Sequence, residues 1–511
     1  MKNIFIASIV GACIFLASCA KDKSNYDYQP KEKITVTGIE STYTKISETE
    51  RLTLNPTVSS TDPNAEFEYM WGMYETNVQG SAPVLDTIAK TKNLDYLIKR
   101  PAKTWVLVYR VKNKKTGYTE YISSNVNVVT QFTRGWYVAK DDGVNSDLDL
   151  FLTPTTIIPT IEGKMENIYS AINGKKLEGK ANLLTFLSAY KSTVTGALGN
   201  TRALFITTEK DVSGININTL KEIRGFNALF YQAPAVKAPG AVIMASSANY
   251  LINNGQCHSI YAMSANTGQF GVAKIKDDLN TPYFLSKYFL THNFSDPYFF
   301  DQISSSFLMG TGTGAVMTSV SNLATTTMSA NNNNKNLLFM GYKSGNTTPM
   351  GYAMFQDKTN TSLKILAQIN PSKTAFNIVN DTLKTSDKIY NGTRFTLLDA
   401  DENMIYFVAG NDVYSRNLTN KFEQLQFTVP AGEEVTFIRH RKYTIASDLP
   451  FNYNYVMVGT KAGANYKVRM FTKSSGNLST SPVFTLEGKG IVRDVMYIAP
   501  SVSESSYTST Y

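Results

Sequence analysis

Between residues 131 and 500 the chain repeats one local pattern: an apolar strand, a Gly/Asn-rich turn, then an aromatic strand. Tyr250–Gly255 is followed by Ser259–Met263, and Leu337–Gly341 by Gly351–Phe355. Met404–Gly410 is followed by Val413-Tyr414, and Tyr455–Gly459 by Tyr466–Phe471. Long helical stretches do not interrupt the series. Each unit reads as a small antiparallel meander that cannot bury both faces alone and must stack on its neighbours. Glycines at 341, 410 and 459 are spaced 69 and 49 residues apart, so the repeat is degenerate. About 370 residues at the usual ~40–50 per blade gives seven or eight blades of a β-propeller. A pair of stacked β-sandwiches is the competing architecture, and the propeller is preferred.

The segment 34–130 has a different texture. Ile34–Ile39, Leu52–Val58, Phe67–Met73, Trp105–Val111 and Tyr118–Ser123 carry the alternation or apolar density of strands. Turn signals such as Thr61-Asp-Pro-Asn64 and Lys115-Thr-Gly117 separate them. About one hundred residues of short strands is the size of an immunoglobulin-like sandwich, with Trp71 as its expected core tryptophan. Tyr69-Met-Trp71, placed after a Leu-x-Leu strand and an Asp-Pro turn, gives the segment a resemblance to a PKD-like domain. The expected fold class is all-β: an N-terminal Ig/PKD-like sandwich followed by a β-propeller-like domain over 131–500. Residues 501–511 form a C-terminal tail. Abundant Tyr (30) and Phe (27) with only 18% charged residues fit globular β structure and argue against disorder.

The N-terminus carries a targeting signal. Lys2 precedes an apolar run from Ile4 to Leu16, too short for a finished membrane span, so residues 1–18 read as a secretory signal peptide. Leu16-Ala-Ser-Cys19 resembles the lipobox of bacterial lipoproteins. That resemblance implies lipidation of Cys19, cleavage before it and acylation, with palmitate-like chains anchoring the protein to a membrane. Residues 19–33 are polar and aperiodic, and read as a flexible tether. Asp22 between Lys21 and Lys23 only partly matches the acidic surface-export signal of Bacteroidota lipoproteins. Cys13 leaves with the leader and Cys19 takes the lipid. Cys257, left alone, is expected to be a small buried residue.

Several local motifs invite a chemical reading. Asp141, Asp142, Asn145, Asp147 and Asp149 could gather around calcium, but their order is not that of an EF-hand. The Asp142-Gly143 pair is also a strong hairpin signal, and the plain turn is preferred. Gly310-Thr-Gly-Thr-Gly-Ala315 lacks the helix a dinucleotide loop requires and reads as a β turn. Ser188-Ala-Tyr-Lys191 and Lys115-Thr-Gly117 occur in the reverse of the penicillin-binding order, so a serine enzyme is rejected. Three histidines are few for a metalloenzyme of this length, and no other cofactor is expected. The net charge of +9 is scattered. Its densest clusters, Lys112–Lys115 and Arg439–Lys442, read as solvated turns or strand edges rather than a nucleic-acid site. In the aromatic-rich segment 283–300, Tyr283, Tyr288 and Tyr298 are candidate platforms for a sugar ring or peptide side chain, with core packing preferred for any one of them.

Lipobox, polar tether, sandwich with Tyr69-Met-Trp71, then Gly135-Trp-Tyr-Val138, Asp141-Asp-Gly143 and Ser146-Asp-Leu-Asp149 together resemble the PKD-like family lipoproteins of Bacteroidota. The resemblance implies association with Sus-type outer-membrane importers (SusC/SusD-like subunits) and a surface accessory role in capturing polysaccharide or peptide. The family has no catalytic motif to transfer. The expectation is a non-enzymatic, lipid-anchored outer-membrane protein, exposed at the cell surface, that binds a nutrient or scaffolds an importer. The alternative is an exported, glycoside hydrolase-like enzyme with its site in the propeller's central channel, because paired carboxylates meet in space rather than in sequence.

Overall fold

The computed structural model describes residues 32–75, 82–245, 247–262, 265–291, 296–344, 349–398 and 401–503. The leader, Cys19, the tether up to residue 31 and tail residues 504–511 lie outside the described residues. The chain divides into two compact units. The first holds the described residues up to 45 together with 49–98 and 104–127; the second holds 46–48, 99–103 and everything from 128 onward. The α-helix described is Ile168–Asn173, and strands make up most of the rest.

The first unit is built on a five-stranded antiparallel sheet in the order Thr42–Ile46, Thr119–Val129, Thr104–Asn113, Phe67–Glu75, Asp86–Ala89. Two strand pairs accompany it, Ile34–Thr37 with Thr57–Ser60 and Arg51–Leu54 with Leu94–Leu97. The sequence suggests one strand across 52–58, but Pro56 divides it. Proline has no N–H to give a ladder, and the two halves pair with different partners. Trp71 is fully buried and sits directly opposite Tyr109 in the ladder, their rings stacked at 4.1 Å. Its indole N–H donates to the Thr91 carbonyl at 3.0 Å, so burial leaves no unmet donor.

Besides the two-stranded pair Lys473–Ser474 with Asn477–Leu478, the second unit contains seven sheets among the described residues; five are up-and-down meanders of three or four consecutive strands, and a sixth has that pair inserted before its last strand. Their innermost strands are Ala181–Thr195, Pro239–Met244, Leu285–Leu290, Lys335–Ser344, Gly392–Leu397, Glu434–Tyr443 and Ile491–Ile498. Each neighbours the next, and Ile491–Ile498 lies beside both Glu434–Tyr443 and Ala181–Thr195, which closes the ring. This is a seven-bladed propeller among the described residues. The closing blade joins both ends of the domain: C-terminal Ile491–Ile498 pairs with Gly135–Asp141, which continues through Asn145–Leu152 to Lys164–Met165. Closure of this kind covers the blade faces that a linear array would leave open at its two ends, while each blade keeps only short edges.

The apolar strand clusters read from the sequence become adjacent antiparallel strands within blades, such as Lys335–Ser344 with Pro349–Asp357. Between blades the core is aromatic. Trp136 is fully buried, donates to the Ile157 carbonyl at 3.0 Å, and packs on Tyr453 and Tyr497 with ring centroids 4.8 and 5.1 Å away.

Candidate functional site

The acidic run after Gly135-Trp136 forms a hairpin turn. Asp142 accepts from the backbone N–H of Val144 and Asn145 at 3.0 and 2.8 Å, and Gly143 takes φ 95°. That Asx geometry is what Asp-Gly supplies between two strands. Asp141, Asp142, Asn145 and Asp147 line one small recess, but Lys140, Lys176 and Lys489 line it with them, and each carboxylate is engaged by a cation or a donor. Asp141 pairs with Arg493 at 2.7 Å and Asp142 with Lys176 at 2.8 Å. The Lys176 hydrogen bond, with turn N–H donors, holds the Asp142 carboxyl down at about 2. Asp147 accepts from the Ser170 hydroxyl and backbone N–H. Asp149 is fully buried, paired with Lys140 at 2.7 Å and accepting from the Tyr466 hydroxyl at 2.7 Å. The calcium reading of Asp141, Asp142, Asn145, Asp147 and Asp149 is thus corrected. Lysine and arginine take the place of the metal, and no group of three or more metal-ligating side chains occurs among the described residues.

The three candidate tyrosines separate. Tyr283 is buried, donating to the Lys274 carbonyl at 2.5 Å and accepting from the Cys257 N–H at 3.1 Å. Tyr298 is buried edge-on against Phe376, with centroids 5.6 Å apart. Neither presents a face to a ligand, so for these two the platform reading is corrected to core. Cys257, beneath Tyr283, is fully buried, and desolvation pushes its thiol up to about 12. Tyr288 is half-buried and lines the central channel.

That channel holds a cavity of about 660 Å³, lined by residues of all seven innermost strands. Its size falls within the ~300–1,000 Å³ typical of small-molecule sites. A recurring backbone device lies at this level. Every innermost strand loses register with its neighbour: around Asn182, Gly240, residues 286–288, Leu338, Thr393, Thr436 and Arg493. A β-bulge releases a residue from the ladder and re-aims its side chain, and bulges favour barrel rims and sites for that reason. Here they form a ring around the channel. The released carbonyls are used between blades: Asn182 Nδ2 donates to Gly240 O at 2.8 Å, and Arg394 Nε donates to Thr436 O at 2.9 Å. Beside the Thr436 bulge, Phe437 lies across Gly459, where a Cβ would stand 2.1 Å from its ring. The missing side chain lets this ring line the channel.

Charge dominates the lining. Lys180, Lys287, Arg394, Arg439 and Arg493 face a single carboxylate among the lining residues, Glu209. Arg439 and Arg441 share fully buried Asp494, at 3.1 and 3.3 Å. The Arg439–His-Arg-Lys442 cluster is therefore no solvated edge. Arg439, His440 and Arg441 are all buried on the innermost strand Glu434–Tyr443. Lys287 reaches solvent inside the channel yet is walled in by the blades. Desolvation by those walls, followed by Arg439, pulls its ammonium down to about 8, against a smaller upward pull from Glu209. Arg394 is likewise lowered, chiefly by burial; Glu434 opposes the shift and Arg493 adds to it. The arrangement concentrates positive charge in a low-dielectric recess, where an anion is attracted more strongly than at an open surface.

Residues 19–181 match the PKD-like family. The PKD-like match takes in the sandwich and the first strands of the propeller, and ends at the start of the first innermost strand. No curated protein sequence matches this chain. Among solved structures, a quinoprotein alcohol dehydrogenase-like protein from Bacteroides thetaiotaomicron is similar at 12% identity and TM-score 0.37, covering 90% of this chain and 99% of that one. Dihydro-heme d1 dehydrogenase NirN in complex with DHE is similar at 8% identity and TM-score 0.39, covering 72% and 75%. The propeller assignment rests on strand order and ring closure.

Proposed function

We propose that this chain is an exported, lipid-anchored outer-membrane protein that binds a nutrient-derived ligand in its propeller channel and serves a Sus-type uptake system without catalysis. Export and anchoring follow from the lipobox-like Leu16-Ala-Ser-Cys19, and the importer association from the resemblance to PKD-like lipoproteins. The observation that carries the binding role is the channel itself, a cavity of about 660 Å³ lined by residues of all seven blades, five of which supply polar or charged side chains. Glycoside hydrolysis generally draws on two carboxyl groups placed about the scissile bond. The channel lining offers Glu209 against five basic groups, which supports binding over cleavage.

The test uses the full-length chain purified in detergent, incubated with glycan and peptide panels while both binding and product release are recorded. Saturable binding without product is the expected result. Turnover of any polymer overturns the reading in favour of the hydrolase. Mass spectrometry of the mature N-terminus reports on the anchor: acyl mass on Cys19 is expected, and an unmodified Cys19 removes that part of the proposal.

A further inference from the structure

We infer that the propeller channel is an anion site that takes the acidic end of a saccharide, a sugar carrying a carboxylate or a sulfate. The inference rests on the proposed binding role and narrows it to one ligand chemistry. Its first support is the imbalance of the lining, five basic side chains to one carboxylate. The counter-ions already present remain fewer than the cations: Asp494 serves both Arg439 and Arg441, Asp141 serves Arg493, and Glu434 acts on Arg394. Lys287 and Arg394 are held beside other cations, and both are displaced toward their neutral forms. An arriving anion relieves that crowding, so the site gains more from an acid than from a neutral ligand.

An aromatic face stands beside these cations. Tyr288, half-buried, is the ring with a face toward the cavity; it meets buried Phe339 edge-on at 5.6 Å, and Phe339 packs on buried Phe395 at 5.2 Å, so the two phenylalanines hold it in place. A pyranose ring offers apolar C–H faces to such a ring and an acid to the cations. Thr393 and Thr436 place hydroxyl groups in the same wall.

An acidic peptide is the less suitable occupant. Peptides commonly bind by adding a strand to an open edge, and here the channel-side strand of every blade is broken by a bulge.

The experiment measures binding of the full-length chain in detergent to four arms: uronate-containing oligosaccharides, sulfated oligosaccharides, their neutral counterparts of equal length, and oligoglutamate. At least one acidic saccharide is expected to bind about tenfold or more tighter than its neutral counterpart, with affinity falling as salt is raised. The uronate and sulfate arms tell the two acids apart. Arg394→Gln and Lys287→Met are each expected to weaken that binding about tenfold, the effect of losing one charge-assisted contact. Thermal melts check folding, and Lys287→Met stands alone if loss of the Arg394 contact to Thr436 unfolds the blade. Equal affinity for acidic and neutral saccharides overturns the anion inference while leaving the binding role intact. Binding of oligoglutamate in preference to every saccharide overturns the ligand class. Binding of nothing in any arm overturns both.

Discussion

Asp494 and Arg439 meet at 3.1 Å across the joint where the last innermost strand closes the propeller ring. The same carboxylate accepts the Leu184 N–H at 2.9 Å from the next blade and pairs with Arg441 at 3.3 Å. One buried side chain therefore ties the closing strand to both of its neighbours. Removing it leaves two guanidinium groups buried against each other. Asp494→Ala is expected to destabilise the propeller by about 3–5 kcal/mol, the cost of breaking a buried pair by removing one partner. Urea unfolding of the full-length chain checks this, and a cost under ~1 kcal/mol would mean the pair is dispensable.

In the sandwich, Trp71 carries the corresponding weight through packing. Its stacking on Tyr109 and its bond to Thr91 both vanish in Trp71→Ala. A loss of about 3–5 kcal/mol is expected, read from the shift in the denaturation midpoint. Trp71→Phe keeps the stack and should recover part of it.

Gly459 tests how the channel wall is shaped. A Cβ there would stand 2.1 Å from the Phe437 ring, so Gly459→Ala forces the ring to move or the strand to shift. Overpacking of this kind costs about 1–3 kcal/mol. Because Phe437 lines the cavity, the variant is also expected to alter ligand affinity, which a binding titration would show.

Tyr283 and Tyr288 should behave oppositely although five residues apart. Tyr283→Ala removes a buried ring and two hydrogen bonds, and is expected to cost about 3–5 kcal/mol of stability. Tyr288→Ala is expected to weaken ligand binding with a smaller change in the melting temperature, since its ring is half-buried at the channel. Comparable loss of folding in both would return Tyr288 to the core.

Lys287 sets the expected pH dependence of binding. Burial first, then Arg439, bring its ammonium down to about 8, and Glu209 pulls the other way; Tyr288, Arg394 and Arg493 share the same wall. Below pH 8 Lys287 is charged and attracts an anion. As pH rises through 8 the charge is lost, and affinity for an acidic ligand should fall. Bound anion raises the pKa again, so binding above pH 8 takes up a proton. Titration on both sides of pH 8 in two buffers of different ionisation heat checks both statements, and Lys287→Met should flatten the profile.

The all-β class, the sandwich followed by a propeller and many strand pairs were legible because they are local. Period-two alternation and turn residues act over fewer than ten residues and survive degenerate repeats. The bulge ring was not legible, because a bulge is a mismatch between two strands and neither strand alone announces it. Tyr288 shows the consequence. The register shift between Leu285 and Phe289 frees residues 286–288 from the ladder, and it is there that Lys287 and Tyr288 reach the channel. The preferred Asp-Gly turn was legible for the same local reason, whereas the partners that displace the calcium alternative were legible only in part: Lys140 and Lys176 stand near the acidic run, but Arg493 arrives from the far end of the domain.

What the sequence determined by itself was therefore strand, turn, repeat and leader, each set by backbone propensity and hydrophobic periodicity over short spans. Ring closure alone decided the site. Each blade contributes only a few side chains to the channel, harmless as isolated charges along the chain. Coulomb energy depends on separation and on the surrounding dielectric, and only the closed ring brings Lys287, Arg394, Arg439 and Arg493 together in one walled recess.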